Sequence, residues 1–142
     1  MKNTKLMGFI SLALAWGAAG AAEFDGSAPL LCASTEVIEC LPAEECQRVT
    51  PEAVDAPQFI RIDFTANQIR AASASGAAKT TPIERRETVD GKLMLQGAED
   101  GVEGVRDGLG WTLAIAEDTG KMVLTGSGDA VGFVIFGACT PL

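Results

Sequence analysis

The sequence predicts an all-β domain: a small antiparallel up-and-down barrel of about eight strands, stapled by disulfides, with a two-sheet sandwich as the alternative. Three observations predict it. Short apolar or alternating runs recur from residue 30 to residue 139, separated by turn residues. No strong helical pattern appears after residue 22. Four cysteines, Cys32, Cys40, Cys46 and Cys139, all fall in that same part of the chain.

Residues 1–22 are read first because they set the compartment. Lys2 and Lys5 precede the apolar run MGFISLALAW, then the small residues GAAGAA and the polar Glu23. That order is expected of a secretory signal peptide, with cleavage after Ala21 or Ala22. The apolar run is shorter than the ~20 residues a spanning helix needs. The remaining residues, 23–142, are expected to form a single domain, periplasmic or secreted, with no stable membrane insertion. A lipid anchor is not expected, because Cys32 lies well beyond the cleavage region and follows the bulky Leu30 and Leu31.

An oxidising compartment favours disulfides over free thiols. Four cysteines allow three pairings. Cys40 and Cys46 flank the loop LPAEE and can face each other at a hairpin mouth, which leaves Cys32 for Cys139. Zinc would want histidines or closely paired cysteines; the chain has neither histidine nor CxxC.

The strands follow in order. Residues 30–40 have some helical spacing, but Thr35, Val37 and Ile38 are β-branched and favour a strand. Residues 46–49 form a short strand. Thr50 and Pro51 suit the cap and first position of one helical turn. Residues 59–64, FIRIDF, alternate: Ile60, Ile62 and Phe64 on one face, Arg61 and Asp63 on the other. A turn at 66–68 leads to Ile69, and the small residues 71–79 read as a loop. Residues 80–89 form one strand starting near an edge at Pro82. Asp90-Gly91 marks a hairpin into residues 92–96. The glycine-rich acidic stretch 99–110 is a loop. Trp111, Leu113 and Ile115 line one face of the next strand; residues 117–120 turn, residues 122–125 return, and 126–129 turn again. Residues 133–136, FVIF, are apolar on both faces and predict a central or well-covered strand.

The formal charge is −8 overall. The leader holds two lysines and no acid, so the remainder is two units more negative. Such a chain repels phosphate backbones, so nucleic acid is not an expected partner, whereas a cationic partner is attracted. Histidine and tyrosine are absent, which removes the common triads and the imidazole base. No phosphate-cradling glycine motif occurs. No enzymatic activity and no cofactor are expected.

The expectation is therefore an exported binding or structural barrel. An unknown small apolar ligand would occupy a pocket formed by Trp111, Leu113, Ile60 and Phe64. Alternatively, a loop over 71–79, with Ser73, Ser75 and Gly76, or over 99–110 would inhibit a cationic periplasmic hydrolase such as lysozyme. A third reading uses the carboxylates of Asp100, Glu103 and Asp107, either as a calcium site or as an acid–base pair in a hydrolase.

The stretches PLLCA, CQRVT, FIRIDF, DGKLMLQGAEDG, GWTLAI with TGKMVLT, and FGAC resemble small uncharacterised exported proteins of proteobacteria, across most of residues 23–142. That resemblance implies export and a β fold, and it carries no site residues. Ser73-Ala74-Ser75-Gly76-Ala77 is similar to the serine-glycine loop of small-barrel periplasmic lysozyme inhibitors. The tyrosine those inhibitors place after the glycine is missing here, and Trp111 is followed by Thr112-Leu113-Ala114 rather than by x-Lys-Gly.

Overall fold

In the computed structural model, residues 24–73, 75–76 and 78–142 are described. The leader expected over 1–22 lies outside them. Ten strands account for most of the described chain: β1 Leu30–Cys40, β2 Gln47–Val49, β3 Pro57–Asp63, β4 Gln68–Ser73, β5 Ala78–Pro82, β6 Arg85–Val89, β7 Lys92–Glu99, β8 Leu109–Ala116, β9 Lys121–Ser127 and β10 Gly132–Pro141. The only helix among the described residues is one 3-10 turn, Pro51–Val54. Thr50 caps it, its hydroxyl accepting from the Ala53 N–H at 3.3 Å, and Pro51 sits where a missing N–H costs nothing.

All ladders are antiparallel, and nine strands run in the order β5-β4-β3-β1-β10-β9-β8-β7-β6, with β2 attached to β1. The sheet curls, and residues 81–84 bring its two edges together. The Ile83 N–H donates to the Asn67 carbonyl at 2.9 Å, continuing the β4 ladder. One residue later the Glu84 N–H donates to the Gln96 carbonyl at 2.9 Å, starting the ladder with β7. The Thr81 hydroxyl donates to the Ala98 carbonyl at 2.8 Å. The chain therefore hands itself from one edge to the other, which leaves few unpaired backbone groups at the seam. This is why the single strand expected over 80–89 is two strands: its halves have different partners.

Cys32 lies directly opposite Cys139 in the β1–β10 ladder, and the two are bonded. The first and last long strands are thus neighbours and covalently joined. Cys40 is bonded to Cys46 just beyond the Glu39–Gln47 pair that ends the β1–β2 ladder. Both disulfides fit a chain that folds in an oxidising, non-cytoplasmic environment.

Inward and outward residues alternate as a one-sided sheet requires. Leu30, Cys32, Ile60, Ile62, Ile69, Leu93, Leu95, Leu113, Ile115 and Met122 are buried in one cluster. A second, smaller cluster gathers Val37, Ala56 and Ile135, with Val49, Val54, Leu124 and Phe133 against it. Phe24 closes the lower end, its ring against Gly120, where a side chain would collide with it. Asp90 (φ 49°) and Gly91 (φ 68°) both take the left-handed conformation that a tight β6–β7 hairpin needs.

Several boundaries differ from the sequence expectation. β4 runs through Ser73 and β5 begins at Ala78, so the loop expected over 71–79 shrinks to 74–77. The small residues there continue the inward alternation after Ile69. The loop expected over 99–110 shrinks to 100–108, and β9 extends through Gly126 to Ser127. β10 is central, as expected, and Phe136 on its outer face is 38% exposed. An all-apolar run reports a strand's place in the sheet more reliably than it reports what covers both faces.

Candidate ligand-binding cavity

The two core clusters do not meet everywhere. Between them lies a cavity of about 170 Å³ that opens to solvent at one end. Ile60, Ile69, Trp111 and Leu113 of the larger cluster form its floor and walls; Ala56, Leu124, Phe133 and Ile135 face them. The cause is local. Toward this end the inward positions carry small residues: Ala71 and Ser73 on β4, Thr81 on β5 and Gly126 on β9. Farther from it the same strands and their neighbours point Ile62, Leu93, Leu95, Ile115 and Met122 into the larger cluster, where all five are buried.

The volume is close to the ~150 Å³ apolar cavity that admits benzene or xenon.

Trp111 is the largest wall. It is 8% exposed and sits across the β7–β8 ladder from Gly97. Its indole N–H is buried without a hydrogen-bond partner among the described residues. Three of the four residues expected to form a pocket, Trp111, Leu113 and Ile60, do line this one. Phe64 does not. It sits past the end of β3, roughly 13 Å from Ile60 at ~3.3 Å per residue, where the Arg86 guanidinium stacks on its ring at 4.7 Å. Arg86 also donates to the Asp25 and Gly26 carbonyls, so this end is sealed by the N-terminal segment.

Comparison with known proteins finds no matching family model, no matching curated protein and no matching solved structure. The site is therefore argued from its own geometry.

Both loops singled out from the sequence flank the cavity mouth, because Ser73, Lys79, Glu99 and Leu109 all line it. In the β4–β5 turn the Ser73 and Ser75 hydroxyls are 2.8 Å apart, and Gly76 (φ 80°) donates its N–H to the Ser73 carbonyl at 3.0 Å. Across the seam, Lys79 Nζ meets Glu99 Oε1 at 3.1 Å. Asp55 is the third charged residue of the lining.

The structure does not bring Asp100, Glu103 and Asp107 together as a metal site: among the described residues no such group is placed to hold an ion. Asp107 is occupied within the loop, accepting from the Val102 N–H at 2.7 Å. Sequence reasoning missed Ala71, Thr81 and Gly126 as lining residues, and it gave Ser73 a place in a partner loop rather than in the cavity wall. Their signal is the continuation of period-two alternation by small residues, which hollows a barrel end instead of filling it.

Proposed function

We propose that this protein is an exported, non-enzymatic binding module, periplasmic or secreted, whose curled sheet holds a small apolar or amphipathic molecule. The open apolar cavity beneath Trp111 carries this reading. Ligand sites are concave and mostly apolar, with a few polar groups at the margin; Ile60, Ile69, Leu113 and Trp111 with Lys79, Glu99 and Asp55 at the mouth have that make-up. The test is an NMR titration of residues 23–142 with benzyl alcohol. Saturable shifts at Ile60, Leu113 and Trp111, lost in Ala71→Leu, support the reading. Shifts absent from these residues, or scattered over the outer face, count against it.

A second reading is supported by Ser73 and Lys79 lining the same cavity as Glu99 and Leu109, so the flanks of the two loop regions share one opening with Asp55. They could together enter the cleft of a cationic hydrolase. Lysozyme is the cheapest target; full lysozyme activity at micromolar protein removes that version.

A further inference from the structure

The geometry points to a small amphipathic cation as the cavity's ligand: an apolar body of about six to eight non-hydrogen atoms carrying one ammonium group. This inference rests on the binding reading above and adds the sign of the ligand's charge.

The size follows from the cavity. About 170 Å³ of apolar space exceeds slightly what a benzene-sized guest fills. A long acyl chain does not fit, because Ile62, Leu93, Leu95 and Ile115 occupy the interior beyond Trp111 and Leu113. The polar end of any guest must therefore lie at the mouth.

The charge follows from what stands there. The lining holds two carboxylates, Asp55 and Glu99, and one ammonium, Lys79. Lys79 is already engaged by Glu99 at 3.1 Å, so the lining has a net charge of minus one with Asp55 unmatched by it. The adjoining loops deepen the imbalance. Loop 100–108 contributes Asp100, Glu103 and Asp107 against Arg106, and Arg106 pairs outward with Asp129 at 3.1 Å. An anionic head would have to take Lys79 from Glu99 and face the other carboxylates. A cationic head meets a ready acceptor in Asp55 and the field of the rim. Asp55 is exposed, so water screens the attraction and the expected preference is modest.

The test uses three probes of one shape: hexylamine, 1-hexanol and hexanoate, each titrated at pH 7 into residues 23–142 by calorimetry and Trp111 fluorescence. The expected order is hexylamine tightest, then hexanol, then hexanoate, with hexylamine about three- to tenfold tighter than hexanoate at low salt. The gap should close near 1 M salt, where the screening length is ~3 Å. Asp55→Asn narrows the gap, and asparagine tolerates the left-handed backbone at that position (φ 49°). Glu99→Gln leaves Lys79 unmatched and raises hexanoate relative to hexylamine. Equal binding of all three, or hexanoate tightest, overturns the charge assignment while leaving the apolar cavity intact. No binding of any probe overturns the cavity reading itself, and this inference with it.

Discussion

Gly97 faces Trp111 across the β7–β8 ladder, and the indole occupies the space a side chain at Gly97 would need. A Cβ at Gly97 would lie 2.4 Å from Trp111 Cζ2 and 2.7 Å from the Pro82 carbonyl oxygen. The absent side chain therefore sets where the principal cavity wall stands, and Pro82 fixes the seam behind it.

Gly97→Ala must push the indole toward the cavity. We expect a loss of about 1–3 kcal/mol, the usual range for overpacking, together with a shifted Trp111 emission maximum and weaker probe binding. Urea melts and fluorescence spectra of the variant check both; an unchanged spectrum would show that the ring is not held as described.

Ala71→Leu works in the opposite sense. Ala71 lines the cavity, and added methylenes there fill open apolar space. At ~0.8 kcal/mol per buried CH₂, the variant should gain about 1–2 kcal/mol in stability while losing benzyl alcohol binding. Stability and binding moving together, in either direction, would contradict a functional cavity.

Leu113 is fully buried between the floor of the cavity and the core. Leu113→Ala should cost about 2–5 kcal/mol, and part of that loss should return on adding a saturating bulky guest, read as a rise in melting temperature.

The disulfides should differ in effect. Cys32–Cys139 closes a separation of 107 residues and Cys40–Cys46 one of 6. In the chain-entropy account the first is worth up to about 4.7 kcal/mol and the second roughly 2 kcal/mol. Paired Cys→Ala variants, compared by urea denaturation, should rank in that order.

Acid should loosen the lower end. The Ser27 side chain, with the Ser27 N–H at 2.8 Å, holds the Asp25 carboxyl below its ordinary value of 3.8. A depressed carboxyl contributes stability above its ordinary value and loses it as pH falls through the folded value. Hydrogen exchange near Phe24 should accelerate as pH drops below about 4, once corrected for intrinsic rates, and Asp25→Asn should flatten that dependence.

Much of the fold was legible because its cues are local. Trp111, Leu113 and Ile115 alternate cleanly, Asp90-Gly91 is a strong hairpin signal, and the short LPAEE spacer made Cys40–Cys46 the natural pair. The division of residues 80–89 was not legible, because it depends on a change of partner that no neighbouring residue encodes. The cavity was half legible. Ile60, Leu113 and Trp111 followed from alternation, but Phe64 continues the Ile60 face beyond the end of β3 and lies away from the cavity, and period-two reasoning does not distinguish the two. Ala71, Ser73 and Gly126 are small enough to pass for loop residues, although their small size is what opens the site.

The most direct test is a crystal structure of residues 23–142 under xenon pressure. An apolar cavity of this size should hold xenon, and density bounded by Ile60, Ile69, Trp111 and Leu113 is the result expected. An interior filled by repacked side chains, with xenon absent from that space, would contradict the central claim that this sheet encloses an open apolar site.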